Sequence, residues 1–209
     1  MKKLVESVPN ISEGRDKDVI EEIVNEFKKF KNIKILEVSS DESHNRTVVT
    51  IVGNVDDVVE GLFYFTKKAV ELIDLNKHKG EHPRIGAVDV IPLIPISGIT
   101  KSELNNYVKV LGERIWNELK VPIFFYADSA INEERKKLPN IRKGEFEGLV
   151  EKMKEPNWHP DIGNPIPHST AGATVIGIRE FLIAYNINLA TPDVSIAEKI
   201  AKSIRESSG

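Results

Sequence analysis

Two runs, Ile33-Lys34-Ile35-Leu36-Glu37-Val38-Ser39 and Thr47-Val48-Val49-Thr50-Ile51-Val52, flank the polar stretch Asp41-Glu42-Ser43-His44-Asn45. Both read as strands, and Asp, Ser and Asn between them suit a hairpin turn. On the N-terminal side, Val19, Ile20, Ile23, Val24, Phe27 and Phe30 recur at helical spacing from Asp16 onward. Acidic residues come early and lysines late in that stretch, as a helix dipole favours. Before it, Leu4 to Val8 reads as a short strand, ended by Pro9-Asn10 and Ser12-Glu13-Gly14-Arg15. On the C-terminal side, Val55 to Leu75 reads as a long helix, followed by a loop rich in His and Lys. Val88 to Ile96 then reads as a strand that is apolar almost throughout, so it is expected to be buried on both faces. The order is β-α-β-β-α-β, which predicts an α+β ferredoxin-like sandwich.

Further elements extend this unit. A helix is expected at about Lys101–Leu119, with Trp116 in the core, then a buried strand Val121–Tyr126 and a helical segment near Glu145–Lys154. The run Glu133-Glu134-Arg135-Lys136-Lys137 reads as a solvated helical face. Pro156 to Gly172 is a loop holding four prolines and two of the five His. An apolar strand Phe181–Leu189 and a helix from about Pro192 to Ser207 close the chain. That last pair echoes the opening strand and helix: Asp193-Val194 and Ile196-Ala197-Glu198-Lys199-Ile200 parallel Asp18-Val19-Ile20-Glu21-Glu22-Ile23. The expected organisation is therefore one subdomain over 1–180 and the opening of a second over 181–209. An unpaired apolar strand is an association edge, so an oligomer is expected.

Composition narrows the chemistry. The 209 residues carry 29 Lys+Arg against 32 Asp+Glu, a net charge of −3, which argues against a general nucleic-acid footprint. There is no Cys, so disulfides, thiol nucleophiles and Cys-type metal sites are excluded. No apolar run approaches the roughly 20 residues of a membrane span. The start Met1-Lys2-Lys3-Leu4-Val5-Glu6 lacks the apolar region of a signal peptide, so a cytoplasmic location is the default expectation. The chemistry is left to His, carboxylates, amides and basic side chains.

Three clusters carry such groups. His78-Lys79-Gly80-Glu81-His82-Pro83-Arg84 has two His at i and i+4, but Gly80 and Pro83 oppose a helix there, so no metal site is predicted. A solvated connector is the bland alternative. Functional weight comes from imidazoles that titrate near neutrality, beside Glu81 and cations, in a loop feeding a buried strand. Asp41-Glu42-Ser43-His44-Asn45-Arg46 is in part plain turn chemistry, yet Arg46 could present its planar fork to a carboxylate. The third cluster runs from Asn157-Trp158-His159 to Gly172; its glycines permit close backbone approach, and its prolines hold an irregular loop in shape.

These residues carry a resemblance. Val8-Pro9-Asn10-Ile11-Ser12-Glu13-Gly14, His44-Asn45-Arg46-Thr47, His78-Lys79-Gly80-Glu81-His82-Pro83-Arg84-Ile85-Gly86-Ala87 and Leu182-Ile183-Ala184-Tyr185-Asn186-Ile187-Asn188-Leu189 resemble, in order, the glutamate formiminotransferase family. The resemblance implies transfer of a formimino group from N-formimino-L-glutamate to tetrahydrofolate as co-substrate, in histidine breakdown, with His82 as the catalytic acid/base. It implies anion contacts from Arg46, Lys79 and Arg84, amide or ring contacts from Asn10, His44 and Asn45, and a minor orienting role for Glu81. It further implies a folate-contacting loop made of Gly163, Asn164, Pro165, Ile166, Pro167, His168, Ser169, Thr170, Ala171 and Gly172. In complete family members the folate lies between two subdomains, so a homodimer or a partner supplying the second subdomain is expected. Two other readings stay open: a non-catalytic folate-binding subunit, and an oligomerising module.

Overall fold

The computed structural model describes residues 2–182, 187 and 189–204. The strands are β1 (Leu4–Ser7), β2 (Asn10–Ile11), β3 (Ile33–Asp41), β4 (Arg46–Asn54), β5 (Val88–Ser97), β6 (Ile123–Ala127) and β7 (Thr174–Ile178). The α-helices are α1 (Lys17–Val24), α2 (Val55–Leu72), α3 (Lys101–Leu119), α4 (Leu138–Arg142), α5 (Glu145–Lys152) and α6 (Val194–Ile204). β1 and β2 follow one another between β4 and β5, antiparallel to both, and β3 pairs with β4 as the expected hairpin. That half is the ferredoxin-like arrangement. β7 then pairs parallel to β5, and β6 parallel to β7, giving a mixed sheet of seven strands.

Local sequence explains the helices. Asp16 caps α1, accepting from the amides of Asp18 and Val19, and Ile20, Ile23 and Val24 are its buried stripe. Asn54 caps α2, whose Val55, Val58, Leu62, Phe65 and Ala69 are buried at three- and four-residue spacing. Thr100 and Glu103 form a reciprocal capping box at the start of α3, which spans Lys101–Leu119 as expected. α2 ends at Leu72, three residues short of the expected Leu75.

The core has two parts. The larger packs α1, α2 and α3 on one face of the sheet, with Phe27 and Phe65 stacked at 4.8 Å between ring centres. The smaller packs Ile141, Leu149 and Met153 of the α4–α5 region over Val90, Phe124, Tyr126 and Val175. β5 therefore has apolar cover on both faces, as its unbroken apolar run predicted. β7 was not anticipated. Thr174-Val175-Ile176-Gly177-Ile178 is short and follows the irregular loop directly, yet all five residues are buried and they separate β5 from β6. Of the expected strand Phe181–Leu189, residues 183–186 and 188 lie outside the described set, while Phe181, Leu182, Ile187 and Leu189 carry no strand assignment. The expected final helix is α6, and 205–209 lie outside the described residues.

The Glu133–Lys137 run departs from its expectation. It contains a 3₁₀ turn, Glu133–Lys136, in which Arg135 is only 2% exposed. Arg135 donates to the Asp161 carboxylate at 2.7 Å and to the carbonyls of Asn157 and His159 at 2.6 Å each. A charge inside a charged run is buried here because a loop distant in sequence supplies its acceptors.

Candidate active site

Strand direction gathers the polar clusters. Parallel pairing puts the starts of β5, β7 and β6 at one edge of the sheet. Antiparallel pairing sends the end of β2, the start of β4 and the end of β3 to that same edge. The register fixes this: Ile11 faces both Thr47 and Val88, Asp41 faces Arg46, and Ile123 faces Thr174. The loops at 12–15, 42–45, 78–87 and 163–173 therefore line up along one rim.

Two of these loops are stitched together. Asn45 sits in the left-handed region at φ 49°, which Asn tolerates better than most residues. Its Oδ1 accepts from the Gly14 amide at 2.9 Å, and its Nδ2 donates to the Lys79 carbonyl at 3.2 Å. The Glu81 amide donates to the Ser43 carbonyl at 3.1 Å. Gly80 lies so close that an added Cβ would stand 2.3 Å from the His44 carbonyl oxygen, so only glycine permits the approach.

This stitching delivers His82 to Arg46. Arg46 Nη1 lies 2.5 Å from His82 Nε2. A guanidinium can only donate, so Nε2 accepts and the ring proton sits on Nδ1, which is buried and has no partner within hydrogen-bond geometry among the described residues. Burial first, then the charges of Arg46 and Arg142, push the His82 pKa down to about 4, against a smaller opposing pull from Asp89. Burial likewise lowers Arg46, with Arg142 adding repulsion. His44 stacks edge-on to His82 at 5.7 Å, and its own Nδ1 lies 3.1 Å from Asp41. Asn10 pairs with Val48, two residues along β4 from Arg46, so both belong to the same face of the sheet.

Several expected contacts turn out to be committed elsewhere. Arg84 was expected to meet an anionic ligand. Its side chain is 7% exposed, and its guanidinium is occupied by Glu145 at 2.8 Å, by both oxygens of Glu147 at 2.7 and 2.8 Å, and by His78 Nδ1 at 3.0 Å. The Asn45 amide makes one hydrogen bond at each end within the protein, so it anchors the loop. Asn10 Nδ2 donates to the Val8 carbonyl at 2.9 Å. The Glu81 side chain is exposed and makes no hydrogen bond to His82 among the described residues. Lys79 is exposed and makes no ion pair among the described residues, so its ammonium remains available at the rim.

Sequence reasoning passed over three groups. Asp89, 2% exposed, accepts from the Ile85 amide at 2.7 Å and from Arg142 Nε at 2.8 Å; a lone carboxylate in the apolar run of β5 was the available signal. Arg142 closes the far side of the site from α4, and nothing local in Leu138–Arg142 marks it. His78 belongs to the recognised motif, yet only the fold reveals its partners. Among the described residues no His/Asp/Glu group has metal-binding geometry, and no helix is long and apolar enough to cross a membrane.

The 163–172 loop runs along the same rim. Gly172, at φ 65°, packs so tightly that an added Cβ would meet the Ile85 carbonyl. The Thr170 carbonyl accepts from Leu75, the Ser169 carbonyl from Asn76, and the Ala171 carbonyl from Ala87. His168 Nδ1 accepts from the amides of Ala171 and Thr170, and burial lowers its pKa. Pro165 and Ile166 are exposed. Trp116 was expected in the core. It is half-exposed instead and, with Lys120, faces a cleft shared with Asn164, Ile166, Pro167 and His168. Gly163, at φ 103°, lies flat on the indole.

A ferredoxin-like sheet extended by two parallel strands, with a neutral imidazole held by arginine on one rim, defines an α+β protein with a basic site suited to proton transfer on small anions. Residues 4–179 match the formiminotransferase domain, N-terminal subdomain, and the chain belongs to that family. Glutamate formimidoyltransferase of Streptococcus pyogenes is 48% identical over 209 residues, covering 100% of this chain and 70% of that protein. Glutamate formimidoyltransferase of Thermoplasma acidophilum is 43% identical over 208 residues, 99% of this chain and 68% of that one. Formimidoyltransferase-cyclodeaminase of Gallus gallus is 47% identical over 206 residues, and there the chain spans 38% of the relative's length.

Proposed function

We propose that this chain carries the acid/base half of a glutamate formimidoyltransferase site. The reaction moves a formimino group from N-formimino-L-glutamate to N5 of tetrahydrofolate. The observation that supports it is His82 presenting a neutral Nε2 to a guanidinium that a substrate carboxylate can claim. When Arg46 turns to such a carboxylate, Nε2 is released and the positive charge beside it is neutralised, so the imidazole becomes more basic. His82 then takes the proton lost from the attacking amine as the new C–N bond forms. It returns that proton to the glutamate nitrogen as the old C–N bond breaks, turning a poor leaving group into a neutral amine. Lys79 stands at the rim as a further cation for the dicarboxylate or for the glutamyl tail of the folate. The Trp116 cleft offers an aromatic wall beside the 163–168 backbone for the folate body.

The test is turnover by the purified chain, alone and with a protein carrying the second subdomain. His82→Ala is expected to lower kcat by about a hundredfold or more, as loss of a general acid/base does, with circular dichroism unchanged. Saturable tetrahydrofolate binding without turnover in either preparation points instead to a non-catalytic folate-binding subunit. Turnover that survives His82→Ala removes His82 from the chemistry.

A further inference from the structure

The two imidazoles of the His78–Arg84 loop are held in opposite tautomers, and only that of His82 has a ring nitrogen that a ligand binding Arg46 would release. His78 Nε2 lies 2.8 Å from the Asn45 carbonyl and must donate to it, while Nδ1 accepts from Arg84 Nε at 3.0 Å. Both ring nitrogens are therefore spent, and His78 has no position from which to exchange a proton with a ligand. Arg84 is itself clamped from α5 by Glu147 and Glu145. A continuous set of contacts runs from α5 through Arg84 and His78 to the carbonyl of Asn45, whose next residue is Arg46. Arg46 then donates to His82.

We infer that His78 is a positioning residue: by holding the Asn45 carbonyl it seats Arg46 on His82 Nε2 and so fixes the tautomer and basicity of the catalytic imidazole. Asn45 is the joint that makes this mechanical. Its left-handed backbone orients Arg46 at the first residue of β4, and its side chain already bridges Gly14 and Lys79. Removing the third tie, from His78, leaves the backbone of this turn free to relax toward an ordinary φ. The charged groups around His78 are Glu13 and Arg15 from the β2–α1 loop, Arg84 from its own loop and Glu147 from α5. Those around His82 are His44 and Arg46 from the β3–β4 hairpin, Asp89 from β5 and Arg142 from α4. His78 and His82 also line one small cavity with Arg46, Arg84 and Asp89, and the hydrogen-bonded link between the two rings runs through the Asn45–Arg46 backbone.

The kinetic consequence rests on the proposed transferase reading, and the structural one does not, so the experiment measures both. ¹⁵N-histidine NMR on the intact chain, with His82 assigned by loss of its signal in H82Q, reports the His82 tautomer and titration directly. Gln at position 78 can donate to Asn45 and accept from Arg84, so H78Q is expected to keep the Nδ1–H tautomer and a midpoint within about half a unit of wild type. His78→Leu can do neither, and the His82 midpoint is expected to rise by about one unit or more with a mixture of tautomers. Should H78L fail to fold, H78N, which is polar but too short to span both partners, replaces it with the same expectation. In turnover, H78L is expected to lower kcat/KM for formiminoglutamate by about tenfold or more while KM for tetrahydrofolate holds, and H78Q to recover most of the loss. A His82 tautomer and midpoint unchanged in a folded H78L or H78N overturns the inference. A wild-type chain with no turnover but with the expected NMR response overturns the transferase reading alone.

Discussion

His82 is uncharged at neutral pH because the folded chain makes a second proton on the ring unfavourable beside Arg46 and Arg142, and this affects stability as well as chemistry. In the unfolded chain a histidine titrates near about 6.5. In the folded chain His82 titrates at about 4. Between those values the unfolded state binds the extra proton, so stability is full above the upper value and falls as pH drops toward the lower one. His78 and His168, both lowered by burial, act in the same direction. Replacing His82 with Gln removes one of these three contributions. The difference in Tm between pH 7.5 and pH 5 is expected to shrink in H82Q; a variant as acid-sensitive as wild type would show that His82 is freely protonated in the fold. The same physics predicts the rate profile. The acidic limb of kcat/KM, which reports the free protein, is expected near pH 4, and that of kcat to lie higher, because a bound carboxylate neutralises Arg46.

The loop from Asn157 to Gly172 is an element whose irregular path is held by buried charge and by glycine. Asp161 accepts from Arg135 at 2.7 Å and from the Phe125 amide at 2.6 Å, with both charged side chains 3% exposed. Asp161→Ala is expected to cost about 3 kcal/mol or more, because it strands the Arg135 guanidinium in the interior; chemical denaturation measures it, and a loss under about 1 kcal/mol would mean that water replaces the carboxylate. Gly163 does different work. An added Cβ there would stand 2.7 Å from the Trp116 ring at a backbone angle that side chains rarely adopt. Gly163→Ala is therefore expected to tilt the loop off the indole, weaken tetrahydrofolate binding by about tenfold and lower Tm by about a few degrees. Quenching of tryptophan fluorescence, compared in W158F to isolate Trp116, provides the titration. Unaltered affinity in G163A places the folate elsewhere on the rim.

At the scale of the whole molecule, strand direction and register bring four loops to one edge and leave the opposite edge, near Asn54 and Ser97, without them. Hydrogen exchange in saturating tetrahydrofolate is expected to slow amides in 10–15, 43–47, 78–86 and 163–172, and to leave 53–57 and 97–101 unchanged. Protection concentrated at the opposite edge would move the binding surface away from His82.

The hairpin at Ile33–Val52, the capped helices and the buried strand from Val88 were legible because their signals are local: periodicity, caps and turn residues lie within a dozen positions of one another. The motif around His82 was legible too, since its residue types and order are distinctive. What the sequence could not convey is which polar groups already have partners. Arg84 looks like a ligand donor in the chain, yet the fold supplies Glu145 and Glu147 to occupy it, and Asn45 also ties Gly14 to Lys79. Arg135 looks solvated and is buried, whereas Trp116 looks buried and walls a cleft. β7 was missed because a five-residue strand announces itself only by its neighbours, and those come from Val90 and Phe124, far off in sequence. Local sequence determined the elements and the reactive imidazole. Pairing between distant segments decided the tautomer of that imidazole, the cations that lower its pKa and the rim on which it stands, because desolvation and hydrogen-bond satisfaction depend on partners that only the folded chain brings within reach.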